Sequence, residues 1–122
     1  MATKKKSPLE VRSKIWVELG GKVALSDWRV ELLRAVETTG SLAGAAEQMG
    51  VPYRTAWHKL KEIETQLGVR LLKTERGGAS GGGSRLTDEG RAVIERFERV
   101  LQGVQGLVQE RFESEFGKAG TR

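Results

Sequence analysis

Between Ser41 and Leu72 the chain reads SLAGAAEQMGVPYRTAWHKLKEIETQLGVRLL, and this stretch restricts the available folds more than any other. Leu42, Ala45, Ala46 and Met49 recur at i, i+3, i+4 and i+7, the spacing of one face of an α-helix. The two alanines leave room for a neighbouring helix to come close. Gly50 breaks the run, Val51 is placed to plug the turn into a core, and Pro52 suits the first position of a second helix. That helix is expected from Pro52 to about Leu67, with Ala56, Leu60, Ile63 and Leu67 on one side. At about 100° per residue, Arg54, His58, Lys61 and Thr65 point the opposite way, with Thr55 and Trp57 on the flanks. Two short amphipathic helices about a glycine turn, the second with a basic outer face, specify a helix-turn-helix.

The charges along the second helix are placed for a polyanion. From Pro52 to Lys61 there are Arg54, Lys59 and Lys61 and no acidic residue, and Glu62 and Glu64 enter only beyond them. Phosphates repel carboxylates near a groove, so this half of the helix is the one expected to face DNA. The formal net charge of +5 over 122 residues adds little by itself, because a modest excess of this kind is common. Arg54 is the first candidate for base readout, bidentate to guanine. Thr55, Lys59 and Lys61 are candidates for holding phosphates, with Trp57 for sugar-phosphate or a thymine methyl. Tyr53 leans toward the core and leaves both readings open; His58 is read as a DNA contact or a solvated side chain. Ser41 is expected to cap the first of the two helices and to lie among the DNA-facing residues.

Residues 1–10, with Lys4, Lys5, Lys6 and Ser7-Pro8, read as a disordered basic leader. From Val11 to Leu19 apolar residues alternate with polar ones, as in a strand, and Gly20-Gly21 supplies the turn of a hairpin whose return strand is Lys22 to Leu25. Ser26 or Asp27 opens a helix with Trp28, Leu32, Leu33, Ala35 and Val36 as its buried stripe, ending at Gly40. After Gly68, Val69 to Glu75 reads as a strand, and Arg85-Leu86-Thr87 as its return, around the glycine-rich tip GGASGGGS flanked by Arg76 and Arg85. Residues 11–86 are thus a winged helix-turn-helix preceded by a β-hairpin, mostly α with small β. Glycines allow the tip to enter a minor groove, where Arg76 and Arg85 meet phosphates or the groove floor. Thr87 caps a last helix, residues 87–116, whose Ile94, Phe97, Leu101, Val104 and Val108 form an apolar stripe widened by Val93, Val100 and Leu107. Some 30 helical residues extend about 45 Å, more than a domain of this size needs for its own core, so the stripe is expected to be a dimer interface. Gly103 and Gly106 either let two helices approach or mark a bend; residues 117–122 are a tail.

Other chemistries find little footing. With one histidine, no cysteine and no nucleophile–base spacing, no catalytic or metal site is expected and no cofactor is implied. The glycine loop lacks the Gly-Lys-Ser/Thr ending of a phosphate-binding P-loop. No apolar run approaches the roughly 20 residues of a membrane span, and the polar, lysine-bearing start points to a cytoplasmic, nucleoid-associated protein without a membrane partner. The alternative to sequence-specific binding is a non-specific architectural DNA-binding protein of the nucleoid type.

GSLAGAAEQMG, the helix after it and LGVRLL together resemble the winged helix-turn-helix of LysR-type regulators. YRTAW, the GG-xx-GGG wing and RLTDEG sharpen the match toward the DNA-binding half of the ModE family of molybdate-responsive regulators, over roughly Val11 to Phe116. The resemblance implies a homodimer joined through the terminal helix and in part the N-terminal region, bound to a palindromic operator. It implies a recognition helix reading DNA through Tyr53, Arg54, Thr55 and Trp57, with Gly77 to Ser84 as the wing. Pro52 stands where a hydroxyl residue often caps that helix. Full-length ModE regulators continue into oxyanion-binding domains, whereas this sequence ends at Arg122, so molybdate or tungstate is not expected to bind this chain. Control of genes for molybdenum metabolism is the corresponding functional expectation.

Overall fold

A computed structural model describes residues 8–75 and 83–117, with only the backbone described at Glu75. The chain divides into two units, residues 16–98 and the segments flanking them. In the larger unit, strands β1 (Val17–Leu19) and β2 (Lys22–Leu25) form an antiparallel hairpin. Gly20 and Gly21 both adopt positive φ at its turn, as a two-residue connection demands. The first strand is shorter than the alternation from Val11 predicts, because β2 offers only four residues to pair with. Its residues are exposed, while Ala24 and Leu25 of β2 reach the core.

Three helices follow: α1 (Asp27–Thr39), α2 (Leu42–Met49) and α3 (Tyr53–Leu67). Hydroxyl caps start the first two. Ser26 Oγ accepts the Arg29 N–H at 3.3 Å, and Ser41 Oγ accepts the Gly44 N–H at 2.8 Å. Left-handed glycines end all three, at Gly40, Gly50 and Gly68. Pro52 takes the N-cap rather than the first helical position; its ψ of 148° is extended, and no side chain caps α3. Leu32, Leu33 and Val36 of α1 are fully buried together with Ala45, Ala46, Ala56 and Ile63. The small residues of α2 and α3 let the three helices close on one another, whereas Trp28 stays half-buried at the edge of that core.

The wing strands are β3 (Leu72–Glu75) and β4 (Gly83–Leu86), paired antiparallel with Leu72 opposite Leu86 and Lys73 opposite Arg85. β3 begins three residues later than the sequence suggests, since the backbone ahead of it is held by α3 and by Thr87. The Thr87 N–H donates to Leu71 O at 2.9 Å, and its hydroxyl donates to Arg70 O at 2.6 Å. The same hydroxyl accepts the Gly90 N–H at 2.9 Å, capping helix α4 (Asp88–Leu101). β4 is tied to the α1–α2 corner, where the Ser84 N–H donates to Gly40 O at 2.9 Å. Helix α4 packs on α1 through ion pairs Arg91–Glu37 at 3.0 Å, in its first turn, and Arg34–Glu98, toward its end.

In the smaller unit, α5 (Val104–Phe116) is a separate element. The expected long terminal helix is present from Asp88 to Phe116 but is interrupted at Gln102-Gly103, where Gly103 takes φ 78° and becomes the N-cap of α5. Of the two uses open to Gly103, the structure shows the bend. Phe112 and Phe116 stack with ring centroids 5.1 Å apart.

Gly90 tests how tightly α4 is set against the root of the wing. A Cβ there would come within 2.6 Å of Leu71 O, a backbone atom that cannot swing aside. Gly90→Ala is expected to destabilise the chain by about 1–3 kcal/mol, measured as a fall in the urea midpoint with an unchanged slope.

Candidate nucleic-acid interface

The N-terminal half of α3 presents one continuous exposed surface. Tyr53 (53 % exposed), Arg54, Trp57 (41 %), His58 and Lys61 all face outward, while Ala56, Leu60 and Ile63 are buried beneath them. Thr55 and Lys59 are half-buried on the flanks. The apolar side is therefore spent on the core, and the cationic side is left for a partner. Leu67 is only half-buried, since it lies in the last turn at Gly68. Tyr53 does not lean into the core as expected: as the first residue of α3 it has no preceding turn to lie against and stands in solvent. Together with Trp57 it forms an outward aromatic ridge at i and i+4.

Neighbouring groups restrain this surface. Lys61 Nζ sits 5.6 Å from the centre of the Trp57 ring, a cation–π contact, and His58 meets that ring edge-on at 5.3 Å. Lys59 pairs with Glu62 Oε1 at 3.7 Å, and Lys61 with Glu64 Oε1 at 3.4 Å. Both lysines thus reach back toward carboxylates one turn further along the helix, at its trailing end.

Those carboxylates are themselves committed to the scaffold. Arg29 of α1, only 8 % exposed, donates from Nη2 to Glu62 Oε1 at 2.6 Å and from Nη1 to Gln66 Oε1 at 3.1 Å. Glu64 Oε2 accepts the N–H groups of Leu71 and Leu72 just ahead of and at the start of β3. Neither Arg29 nor Glu64 is among the residues the sequence singles out. An arginine inside the apolar stripe of α1 is the one signal that could have raised the first.

On the wing, Arg85 is exposed, and the register places Lys73 across from it on the outward side, opposite to buried Leu72 and Leu86. Lys73 follows from the two-residue period of β3 and belongs with the wing cations. Arg76 and residues 77–82 of the tip lie outside the described residues. Ser41 is half-buried, and its hydroxyl accepts the Gly44 N–H as the expected α2 cap.

The expected pairing stripe needs amending. Ile94 and Phe97 are already buried in the single chain, because the first turns of α4 close over its core, and they are not available at a surface. Leu101, Val104 and Val108 are half-buried, and the exposed apolar residues nearby are Val100, Leu107 and Phe116. Among the described residues no cluster of His, Asp or Glu could hold a metal ion, and no helix is long and apolar enough to cross a membrane.

Residues 29–91, more than half of the chain, match the family model described as bacterial regulatory helix-turn-helix protein, lysR family. The chain belongs to that family. The matched stretch runs from the buried Arg29 to the start of α4, so it takes in the three helices and the wing described above. The Molybdenum-pterin-binding protein MopA of Rhodobacter capsulatus is 36 % identical over 75 residues, covering 62 % of this chain and 28 % of that protein. The Molybdenum transport protein ModE of Azotobacter vinelandii is 36 % identical over 77 residues, covering 63 % and 28 %. This chain therefore spans less than a third of the length of these relatives. Among solved structures, the DNA-binding domain of CbnR in complex with DNA superposes with a TM-score of 0.54 at 27 % identity, covering 72 % of this chain and 94 % of that one.

The Arg29–Glu62 pair has a pH signature. The guanidinium hydrogen bond holds the Glu62 carboxyl below its usual value of 4.5, its charge and that of Lys59 adding to the effect and outweighing the opposing desolvation. The folded chain therefore holds this proton more weakly than the unfolded one. The stabilisation is complete above the ordinary carboxylate range and disappears as pH falls through the lowered folded value. Glu62→Gln is expected to lower thermal stability at neutral pH and to flatten the loss of stability between about pH 6 and pH 3, measured by calorimetry against the parent chain.

Proposed function

We propose that this chain is a homodimeric, sequence-specific DNA-binding transcription regulator that places α3 in the major groove and its wing at the adjacent minor groove. The observation that carries this reading is the division of α3: an outward surface of Arg54, His58, Lys61, Tyr53 and Trp57 free of carboxylates, above a buried apolar side. Membership of the lysR family and the likeness to a CbnR domain solved on DNA support it. Arg54 reads a base edge, Trp57 contacts sugar-phosphate or a thymine methyl, and Thr55, Lys59 and Lys61 hold phosphates and fix register. Lys59 and Lys61 exchange their helical carboxylate partners for phosphate on binding. Lys73 and Arg85, with Arg76, supply the wing contacts.

The dimer rests on α5 and the residues just before it. Val100, Leu107 and Phe116 are exposed, with Leu101, Val104 and Val108 only half-covered, an apolar run that a second copy would bury. Two copies would set their recognition helices about 34 Å apart or a multiple of it, on a palindromic site. The names of the relatives point to molybdenum metabolism as the regulated process. The oxyanion itself is not expected to bind here, and titration calorimetry with molybdate should register no heat.

Competition between selected and random duplexes at matched salt tests the main claim. Arg54→Ala should cost about 1–3 kcal/mol and relax preference at one base position; Lys61→Ala should weaken all sequences alike and reduce the salt slope by about one. Equal affinity for random and selected DNA would replace this reading with an architectural, non-specific one. Retained binding in a chain carrying both Arg54→Glu and Lys61→Glu would remove α3 from the groove. For the dimer, Leu107→Asp is expected to convert the sedimenting species from dimer to monomer while leaving helical content unchanged.

A further inference from the structure

Glu64 joins the recognition helix to the wing. It lies in the last turns of α3 with its side chain only 14 % exposed. Its Oε2 accepts the Leu71 N–H at 2.8 Å and the Leu72 N–H at 3.4 Å, at the root of β3. Its Oε1 turns outward to Lys61 Nζ at 3.4 Å. One carboxylate thus touches an outward lysine with one oxygen and the base of the wing with the other.

A sheet of two four-residue strands has little stability or direction of its own. Its orientation comes from whatever holds its ends. β4 is held by the hydrogen bond from Ser84 N–H to Gly40 O, and tightly, since a Cβ on Gly83 would come within 2.7 Å of that same oxygen. The root of β3 is held from the start of α4 by the Thr87 bonds to Leu71 O and Arg70 O, and against α3 by Glu64, chiefly through the Leu71 N–H at 2.8 Å.

We propose that Glu64 is a positioning residue that sets the direction of the wing against α3, so that Lys73 and Arg85 meet the duplex in register with Arg54 and Lys61. The proposal rests on the DNA-binding reading above. Electrostatics alone argues the other way for this residue: a carboxylate beside a groove repels phosphate, so removing its charge should tighten binding. Positioning makes the outcome depend on the hydrogen-bond acceptor and not on the charge.

The experiment compares the full chain with Glu64→Gln, which loses the charge and keeps an acceptor, and Glu64→Ala, which loses both. Each is made with and without Lys73→Ala. Affinity for a duplex selected by the parent chain is measured at matched salt, alongside hydrogen exchange of the Leu71 and Leu72 amides. Glu64→Gln should bind as tightly as the parent or more so. Glu64→Ala should bind about tenfold more weakly, the loss of two cationic contacts, with faster exchange at both amides. Lys73→Ala should cost affinity in the parent and in Glu64→Gln and nothing further in Glu64→Ala. The proposal is overturned if Glu64→Ala behaves like Glu64→Gln, or if Lys73→Ala costs the same in all three backgrounds. Should Glu64→Ala fail to fold, Glu64→Asp replaces it: the shortened carboxylate keeps the charge and should still abolish the contribution of Lys73, and an undiminished contribution rejects the idea. A parent chain that binds no duplex overturns the DNA-binding reading and this one together, whereas binding with an unaltered Lys73 effect overturns this one alone.

Discussion

Arg29 is the one charged side chain buried among the described residues, and the placement of α3 depends on it. Its guanidinium leaves α1 inside the core and divides its donors between Glu62 and Gln66, one turn apart on α3. Apolar packing between α1 and α3 would hold the two helices together but would tolerate a small rotation or slide, because such packing is non-directional. Two hydrogen bonds from a planar, forked cation do not. The outward face of α3 is therefore aimed by a contact on its inward, trailing end, some distance from the residues that would meet DNA.

The carboxylates of α3 show how one short helix can hold opposite charges without working against itself. Glu62 and Glu64 stand past the cationic half, and each has a scaffold partner: the buried arginine for the first, two backbone amides for the second. Each also reaches a lysine three residues earlier. Lys59 and Lys61 are in this way held by exposed surface pairs of the weak kind.

Much of this was legible in the residue pattern, and the exceptions have distinct causes. Helix limits followed from side-chain caps and left-handed glycines: Ser26 and Ser41 accept the expected amides, and Gly40, Gly50 and Gly68 take the expected backbone. The outward set Arg54, His58 and Lys61 followed from helical periodicity alone. Periodicity says nothing about how far a neighbour extends, and so it left Tyr53, at a helix end, open between two readings and overran β1, whose partner is short. It also treats a stripe as uniform, whereas Ile94 and Phe97 serve the core and the apolar residues after them do not. Arg29 and Glu64 act through contacts 33 and 7 residues away, to Glu62 and to Leu71. Only the folded arrangement reveals such pairs.

The left-handed residue at Gly103 resets the phase of the terminal helix. Because the hydrogen-bond ladder stops there, the apolar pattern of α5 is not obliged to continue the pattern that α4 presents to the core. Substitutions after the break can accumulate without being transmitted as a twist into the helices before it. Residues of α5 are thus open to change separately from those that pack α4 against the core upstream of the glycine.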